Sequence, residues 1–595
     1  MKVLLSGNEA VARGCHESGL HVATAYPGTP STEILEAIAS RYTEIDSEWC
    51  PNEKVAFEVA MGASFAGARA LTAMKHVGLN VAADPFMSVS LVGAPGGLVV
   101  VSADDPGMHS SQNEQDNRLY ARFAGYPCLE PSDSQESKDF VGHGLDISVS
   151  FDVPVMLRMT TRVCHAQGVV RLGERREYPV KGFQPDPRKF VVLPNHARVQ
   201  HVWAAERLER LAAFSESSPL NREEPGRRDV GVVTAGISYQ YVRETLPEAS
   251  VFKLGLSYPL PIERIRRFAA SVGRLFVVEE LEPFIEEQIL AAGIPCEGRK
   301  WWPRLGEFSP DVVAEGFVRA GVLERGPEPP APVAVPPRPP VFCPGCPHRG
   351  LFVALKKFKA LVATDIGCYT LSVYPPIAVG DICVEMGASI GAAVGVAKAR
   401  GSGKGIVATI GDSTFLHSGM TGLLNAVHDG AGITVIILDN SITAMTGGQH
   451  QPGTGKTLSG AAAKPVKLAK ICEALGVQRI RVIDPYDLNQ TGKVLGEALD
   501  SSELSVLITN RPCTLYPPEI RKTILRPPFR VDPDACIGCH TCFKVACPAI
   551  GESERRTDKG LSQSRIDPIL CTGCSVCSQV CPVQAIVRGP EGSGK

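Results

Sequence analysis

Gly405-Ile-Val-Ala-Thr-Ile-Gly-Asp-Ser413, followed by Ile433-Thr-Val-Ile-Ile-Leu-Asp-Asn440, is the stretch that decides the fold. Each piece is an apolar run of strand length closed by a polar turn, and Ser418–Val427 between them reads as a helix. Strand, helix, strand is a crossover whose right-handed path makes the two strands parallel. Asp412 and Asn440 therefore leave the sheet at the same carboxyl edge, where open α/β sheets bind ligands. A carboxylate and an amide oxygen there suit a hard cation, Mg2+ or Ca2+, with diphosphate oxygens completing its shell. Taken alone, a Gly-Asp pair after a strand is also what an ordinary solvated turn looks like.

Toward the C-terminus, cysteine spacing identifies the next element. Cys536, Cys539, Cys542 and Cys547 form C-x2-C-x2-C-x4-C-P, and Cys571, Cys574, Cys577 and Cys581 form C-x2-C-x2-C-x3-C-P. Three thiolates at two-residue gaps wrap one face of a [4Fe–4S] cubane, and the remote cysteine before proline reaches the other cluster. This crossing predicts Cys536, Cys539, Cys542 and Cys581 for one cluster and Cys571, Cys574, Cys577 and Cys547 for the second. Gly538 and Gly573, one inside each first gap, predict tight turns around the sulfides. Zinc also accepts four thiolates, but its sites show paired C-x2-C knuckles, not triple runs closed by Cys-Pro.

The whole chain sets the bounds. Its 595 residues are too many for one core, and at roughly 150 residues per domain they predict about four domains. A formal net charge of −2 points to neither nucleic acid nor an anionic membrane surface. The longest apolar runs, Gly97–Ala103 and Ile433–Leu438, are far shorter than the ~20 residues of a membrane span. The start, Met1-Lys-Val-Leu-Leu-Ser-Gly-Asn-Glu, is not a signal peptide, so a cytoplasmic location is expected. There, nineteen cysteines are not a disulfide framework. Cys15, Cys50, Cys128, Cys164, Cys296, Cys383 and Cys472 are scattered singly and read as buried or inert.

Between Pro327 and Pro340 eight of fourteen residues are proline, which predicts an extended linker. The cysteine-rich tail starts near Val531, and the closing GPEGSGK is expected to be disordered. Up to about residue 320 the chain reads as two α/β domains. Gly97–Ser102 and Val153–Met159 are buried strands of the first, and Glu53–Leu71 is its small-residue helix, capped by Asn52. The segment DVGVVTAG from Asp229 and Arg274–Glu280 are strands of the second.

Other positions stay ambiguous by spacing alone. Cys343-Pro-Gly-Cys346, Cys368 and Cys513 are a metal site, a redox pair or buried thiols. Thr29, before Pro30, faces a ligand or simply precedes a helix start. Glu53 and Glu58 share one helix, and a first-turn glutamate such as Glu53 often only complements the helix dipole. The polar stretch Asp104–Arg118 offers His109 and Arg118 as groups facing a substrate, with no choice between them.

Together these segments resemble the ferredoxin-dependent 2-oxoacid oxidoreductases over nearly the whole chain. The resemblance rests on Gly411-Asp-Ser413 with Asn440, on Thr446-Gly-Gly-Gln449, on Tyr26-Pro-Gly-Thr-Pro-Ser31 and on the twin cluster motif. Phe342-Cys-Pro-Gly-Cys-Pro-His-Arg349 and Asp365-Ile-Gly-Cys-Tyr-Thr-Leu371 are similar to the alpha-subunit type that acts on indolepyruvate. The resemblance implies thiamine diphosphate with Mg2+ (or Ca2+), bound by Gly411, Asp412, Ser413, Asn440 and Thr446. Asp412, Asn440 and the backbone carbonyl of Ile442 would ligate the metal. Ser413 departs from the third glycine of the thiamine signature and sets a side chain near the diphosphate. Glu53 would hydrogen-bond the aminopyrimidine, with Glu58 as competitor, and Thr29 would contact the 2-oxoacid. Cys343, Cys346, Cys368 and Cys513 would hold a third, proximal [4Fe–4S] cluster.

The implied architecture is multidomain α/β with doubly wound thiamine-diphosphate-binding folds. A pyrimidine-binding domain is expected at 1–190, a transketolase-C-terminal-like domain at 191–325 and a Pro-rich linker at 326–341. A diphosphate-binding domain follows at 342–526 and an α+β two-cluster ferredoxin domain at 527–590. The implied reaction is oxidative decarboxylation of an aryl pyruvate, with coenzyme A as co-substrate and external ferredoxin as electron acceptor. Pyruvate, 2-oxoglutarate or phenylglyoxylate are alternative substrates; a non-oxidative thiamine enzyme and a pure electron-transfer subunit are alternative roles. No γ-type domain is recognisable, which implies a small partner subunit and a hetero-oligomer such as a dimer of heterodimers.

Overall fold

The computed structural model describes residues 1–326, 333–336, 338–516, 521–522 and 525–589. The expected proline-rich linker falls partly outside the described residues, at 327–332 and 337, and so does the expected disordered tail from residue 590. The chain divides into two compact units, Met1–Val333 and Ala334–Lys595. Among the described residues no helix is long and apolar enough to cross a membrane.

The first unit is built on a seven-stranded sheet in the order 256–258, 128–129, 155–160, 98–104, 70–75, 22–25, 46–49. Ala70–Lys75, Leu98–Asp104 and Val155–Thr160 are buried along their whole length, as parallel strands covered on both faces must be. Leu256–Tyr258 comes from the second α/β segment and joins this sheet antiparallel to Cys128–Leu129. That segment also carries its own four-stranded sheet, ordered 274–278, 227–235, 249–254, 222–224. One expectation fails: the helix read as Glu53–Leu71 ends at Phe65, and Ala70–Lys75 is a strand. Gly67 at φ +80° takes the chain out of helical space, and the small residues around it continue a close crossing, not a helix.

Buried charges knit this unit. Arg118, 1% exposed, forks onto Asp116 and reaches Glu279 at 2.8 Å, while Arg158 joins Asp104 and Glu130. Deleting one member of such an array strands a buried charge at a cost of about 3–5 kcal/mol. Arg118 is thus a structural cation, and His109 is an exposed residue 3.1 Å from Glu307.

The second unit centres on a five-stranded parallel sheet ordered 361–364, 406–411, 434–439, 505–510, 479–483. Alternation along its strands feeds two cores. Ala408 and Ile437 pack with Ile390 and Leu423 on one face, and Val407 and Ile436 with Phe352 and Leu495 on the other. The cysteine-rich tail is two antiparallel ribbons, Phe529–Val531 with Ile586–Arg588 and Ile550–Arg556 with Ser562–Ile566. Of the singly scattered cysteines, Cys15, Cys50, Cys128, Cys164 and Cys472 are buried and Cys296 is half-buried. Cys383 is exposed, because it lies in the irregular stretch before the helix Ala388–Arg400 and not on a core-facing element.

Candidate functional site

Asp412 is the first residue beyond the strand Ile406–Gly411, and Asn440 the first beyond Thr434–Asp439, so the parallel register brings both to one edge. Both are buried. Gly411 leaves room for the Tyr369 ring, since a Cβ there would lie 2.8 Å from it. Ser441 adopts φ +59°, a left-handed turn uncommon for a residue with a side chain, and the carbonyl of Ile442 comes back toward the Asn440 amide. The Asn440 amide oxygen stands 2.8 Å from the Ile442 oxygen and 3.2 Å from Asp412 Oδ1. Three acceptors face one another. With the amide reversed, its nitrogen donates to both oxygens; with the oxygen inward, the three form a ligand set of the kind a hard cation takes.

Oxygens at these spacings suit neighbouring ligand positions on a hard cation, Mg2+ or Ca2+. Burial and the neighbouring charge of Asp439 push the Asp412 carboxyl well above the usual carboxylate range, as expected where a cation is needed to hold it ionised. Gln451, which no sequence pattern singled out, donates to Asp412 Oδ2 at 3.1 Å. The Ser413 hydroxyl accepts from Thr443 at 2.9 Å, so the side chain that replaces a glycine is tied to the metal loop. Thr446 is half-buried and bonded to the Gln449 side chain.

Beside the metal loop lies a cavity of about 250 Å³ whose wall includes Asn440, Ile442 and all four of Cys343, Cys346, Cys368 and Cys513. Cys513 is pinned there: its N–H donates to the Asn440 carbonyl at 3.0 Å. Burial pushes the Cys346 thiol up to about 12 and the Cys368 thiol to about 11. Metal binding supplies the charge that deprotonates such thiols. Four sulfurs around one space fit a cluster's ligand set better than a lone redox pair.

In the tail, Cys536, Cys539, Cys542 and Cys581 line a second cavity. Burial, and after it the neighbouring Cys574, Cys547, Cys571 and Cys542, push the Cys577 thiol up. The tail cavity brings Cys581 of the second run beside Cys536, Cys539 and Cys542 of the first. Gly538 and Gly573 take φ +66° and +75°, and a Cβ on either would meet a backbone oxygen at 2.7–2.8 Å. The Phe529 N–H points at Cys571 Sγ and the Ser564 hydroxyl lies 3.1 Å from Cys542 Sγ, contacts of the kind that would tune the potential of a cluster held there.

The quartets lie in series. Gly345, between Cys343 and Cys346, lies against Thr572. Buried Arg349 donates to the carbonyls of Phe342, Cys343 and Ala546, the last of these next to Cys547. Cys577 and Cys542 share one small core, and Cys539 is exposed. Among the described residues no three His, Cys, Asp or Glu gather on a single metal ion. The sulfurs stand around cavities, and the Asp412 centre takes its other oxygens from an amide and a carbonyl.

In the first unit, the neighbouring parallel strands 46–49, 22–25 and 70–75 carry the remaining candidates toward their carboxyl ends. Glu53, 6% exposed, opens its helix behind Asn52, whose side chain caps the Val55 N–H at 2.9 Å. Its carboxylate rests on Gly78, where a Cβ would come within 2.5 Å of Glu53 Oε1. Glu58 is instead half-exposed and paired with Lys54, one turn away on the same helix. Thr29 is half-buried in the loop after Val22–Ala25. Gly78→Ala is expected to displace the Glu53 carboxylate and lower kcat roughly 10- to 100-fold, the cost of an ångström-scale misplacement. Steady-state rates beside an unchanged thermal melt check this; an unaltered kcat would mean Glu53 does not act from this position.

Residues 13–203 match the family described as pyruvate flavodoxin/ferredoxin oxidoreductase, thiamine diP-bdg. Residues 365–509 match the thiamine pyrophosphate enzyme C-terminal TPP binding domain, and residues 529–582 a 4Fe-4S dicluster domain. The chain is 41% identical to indolepyruvate oxidoreductase subunit IorA of Pyrococcus abyssi, over 99% of this chain and 97% of that one. It is 40% identical to the subunit of the same name from Methanothermobacter marburgensis, over 93% of each. Similarity to 2-oxoglutarate synthase subunit KorA of Archaeoglobus fulgidus is lower, 25% over 46% of this chain and 87% of that one.

Proposed function

This chain belongs to the family of indolepyruvate oxidoreductase IorA subunits, and on that premise we propose that it converts indolepyruvate and coenzyme A to indoleacetyl-CoA and carbon dioxide, reducing ferredoxin. It is a thiamine-diphosphate-dependent oxidoreductase acting on 2-oxoacids, with iron–sulfur clusters. The observation that carries the oxidative chemistry is the shared cavity, where Asn440 and Ile442 stand on one wall with four cysteines. A non-oxidative thiamine enzyme has no use for those sulfurs. A pure electron-transfer subunit has no use for the three converging oxygens.

Asp412, Asn440 and the Ile442 carbonyl would hold Mg2+, with Gln451 steadying Asp412 and with Gly411, Ser413 and Thr446 along the diphosphate. Bound thiamine diphosphate supplies a nucleophilic carbon and an electron sink for the loss of carbon dioxide. Glu53, fixed against Gly78, would bond the aminopyrimidine, and Thr29 would meet the 2-oxoacid. Cys343, Cys346, Cys368 and Cys513 would hold the proximal [4Fe–4S] cluster. The crossed tail quartets would hold the other two, with exposed Cys539 marking the outward end. A small partner subunit and an external ferredoxin complete the working enzyme, as a hetero-oligomer such as a dimer of heterodimers.

The test is anaerobic purification with the partner subunit, then ferredoxin or viologen reduction with indolepyruvate, phenylpyruvate, pyruvate and 2-oxoglutarate. Reduction strongest with the aryl acids and absent without coenzyme A is expected. Carbon dioxide release with no acceptor reduced would make the chain a decarboxylase.

A further inference from the structure

We propose that Lys75 is the cationic group that binds the substrate's carboxylate, an inference that rests on the reaction assigned above. Lys75 ends the strand Ala70–Lys75, which lies between the strands 98–104 and 22–25. Its Cβ packs on Gly28, the residue before Thr29; a Cβ on that glycine would lie 3.1 Å from it. Three residues beyond Lys75, Gly78 carries the Glu53 carboxylate. One strand end therefore meets both loops that bear the first unit's candidate residues.

The side chain is 9% exposed, yet its ammonium donates only to the carbonyl and the hydroxyl of Ser110, at 2.7 and 3.3 Å. Among the described residues no carboxylate lies in ion-pair reach of it, and no acceptor takes its third hydrogen. Arg118, Arg158, Lys138 and Lys253, also buried in this unit, each meet a carboxylate, whereas the guanidinium of Arg207 is held by the backbone carbonyls of Asp152 and Ser90. An ammonium taken out of water without a counter-charge is costly. Burial pulls Lys75 down to about 8 even though Asp105 draws it the other way. A small anion is what this position lacks, and the anion that the reaction brings is the 2-oxoacid's carboxylate. That group leaves as neutral carbon dioxide, so its attraction to Lys75 acts on the bound acid more than on the transition state. Loss of Lys75 should fall mainly on KM.

The test uses the anaerobic holoenzyme with its partner, as wild type, Lys75→Gln and Lys75→Arg. Lys75→Gln should raise KM for indolepyruvate and phenylpyruvate roughly 10- to 100-fold, the worth of a hydrogen bond to an ionised group. The KM for coenzyme A and the thiamine diphosphate content should not change, and Lys75→Arg should recover most of the loss. Calorimetric binding of 3-phenyllactate and of its neutral amide reads the same contact without turnover. Wild type should prefer the acid about tenfold or more, and Lys75→Gln should erase the preference. A variant that keeps the wild-type preference, or one whose KM values for 2-oxoacid and coenzyme A rise together with a lowered melt, overturns the proposal. Acid preference in a wild type that fails to reduce an acceptor would support Lys75 and remove only the assigned reaction.

Discussion

Asp412→Ala is expected to lower turnover by about 10³-fold or more and to strip both Mg2+ and thiamine diphosphate from the purified protein. Outer partners of a metal site typically cost 10–100-fold when removed, roughly the loss expected for Gln451→Ala, and a direct ligand must cost more. Asp412 is buried, and it is the one charged group among the three converging oxygens. Without it, an amide and a carbonyl face each other with nothing to offset the cation's lost hydration. The measurement is magnesium and thiamine diphosphate content after desalting, followed by rate recovery at high concentrations of both. Retention of stoichiometric cofactor by Asp412→Ala would remove Asp412 from the site.

Cys513→Ser is expected to cut iron from about twelve to about eight atoms per chain, the loss of one of three four-iron clusters. Acceptor reduction should fall about 100-fold or more, since the remaining clusters then sit beyond a gap in the series. Serine keeps the main chain, so the hydrogen bond from residue 513 to the Asn440 carbonyl and the metal loop should survive. Thiamine diphosphate content should therefore hold while electron delivery fails. Electron paramagnetic resonance of the two tail clusters should be unchanged. Full iron and full reduction in this variant would return the four cysteines to the status of buried thiols.

The sequence exposed the parts of this molecule whose chemistry is local. Cysteine gaps and the closing Cys-Pro are set by the cubane itself, and the strand–helix–strand run around Asp412 and Asn440 fixes their shared edge before any packing is known. The thiamine-binding and dicluster character read this way agrees with the family matches. What stayed hidden depends on distant segments meeting. Gly78 gains its meaning only because Glu53 arrives from another helix, and Lys75 only because Gly28 and Ser110 close around it. Gln451 lies in a loop with no periodicity, so nothing announced its bond to Asp412. The helix from Glu53 was read too long because small residues run past Gly67, where the backbone has already turned. Spacing left Cys343, Cys346, Cys368 and Cys513 open because a single cavity gathers residues from across the second unit.

Arg349 has a bearing on how freely this architecture can be recombined. Its guanidinium takes acceptors from the Cys343 loop and from Ala546, and Gly345 leans on Thr572, so the ferredoxin-like tail is keyed into the thiamine-binding half at two points. Such a tail is no interchangeable cartridge. A donor ferredoxin grafted after residue 526 must present a carbonyl to Arg349 and a side chain shaped for the space above Gly345. Lacking the carbonyl, it strands a buried donor at about 1–3 kcal/mol. Chimeras of this enzyme should therefore be cut elsewhere, with both ribbons and the Cys343 loop inherited from one parent.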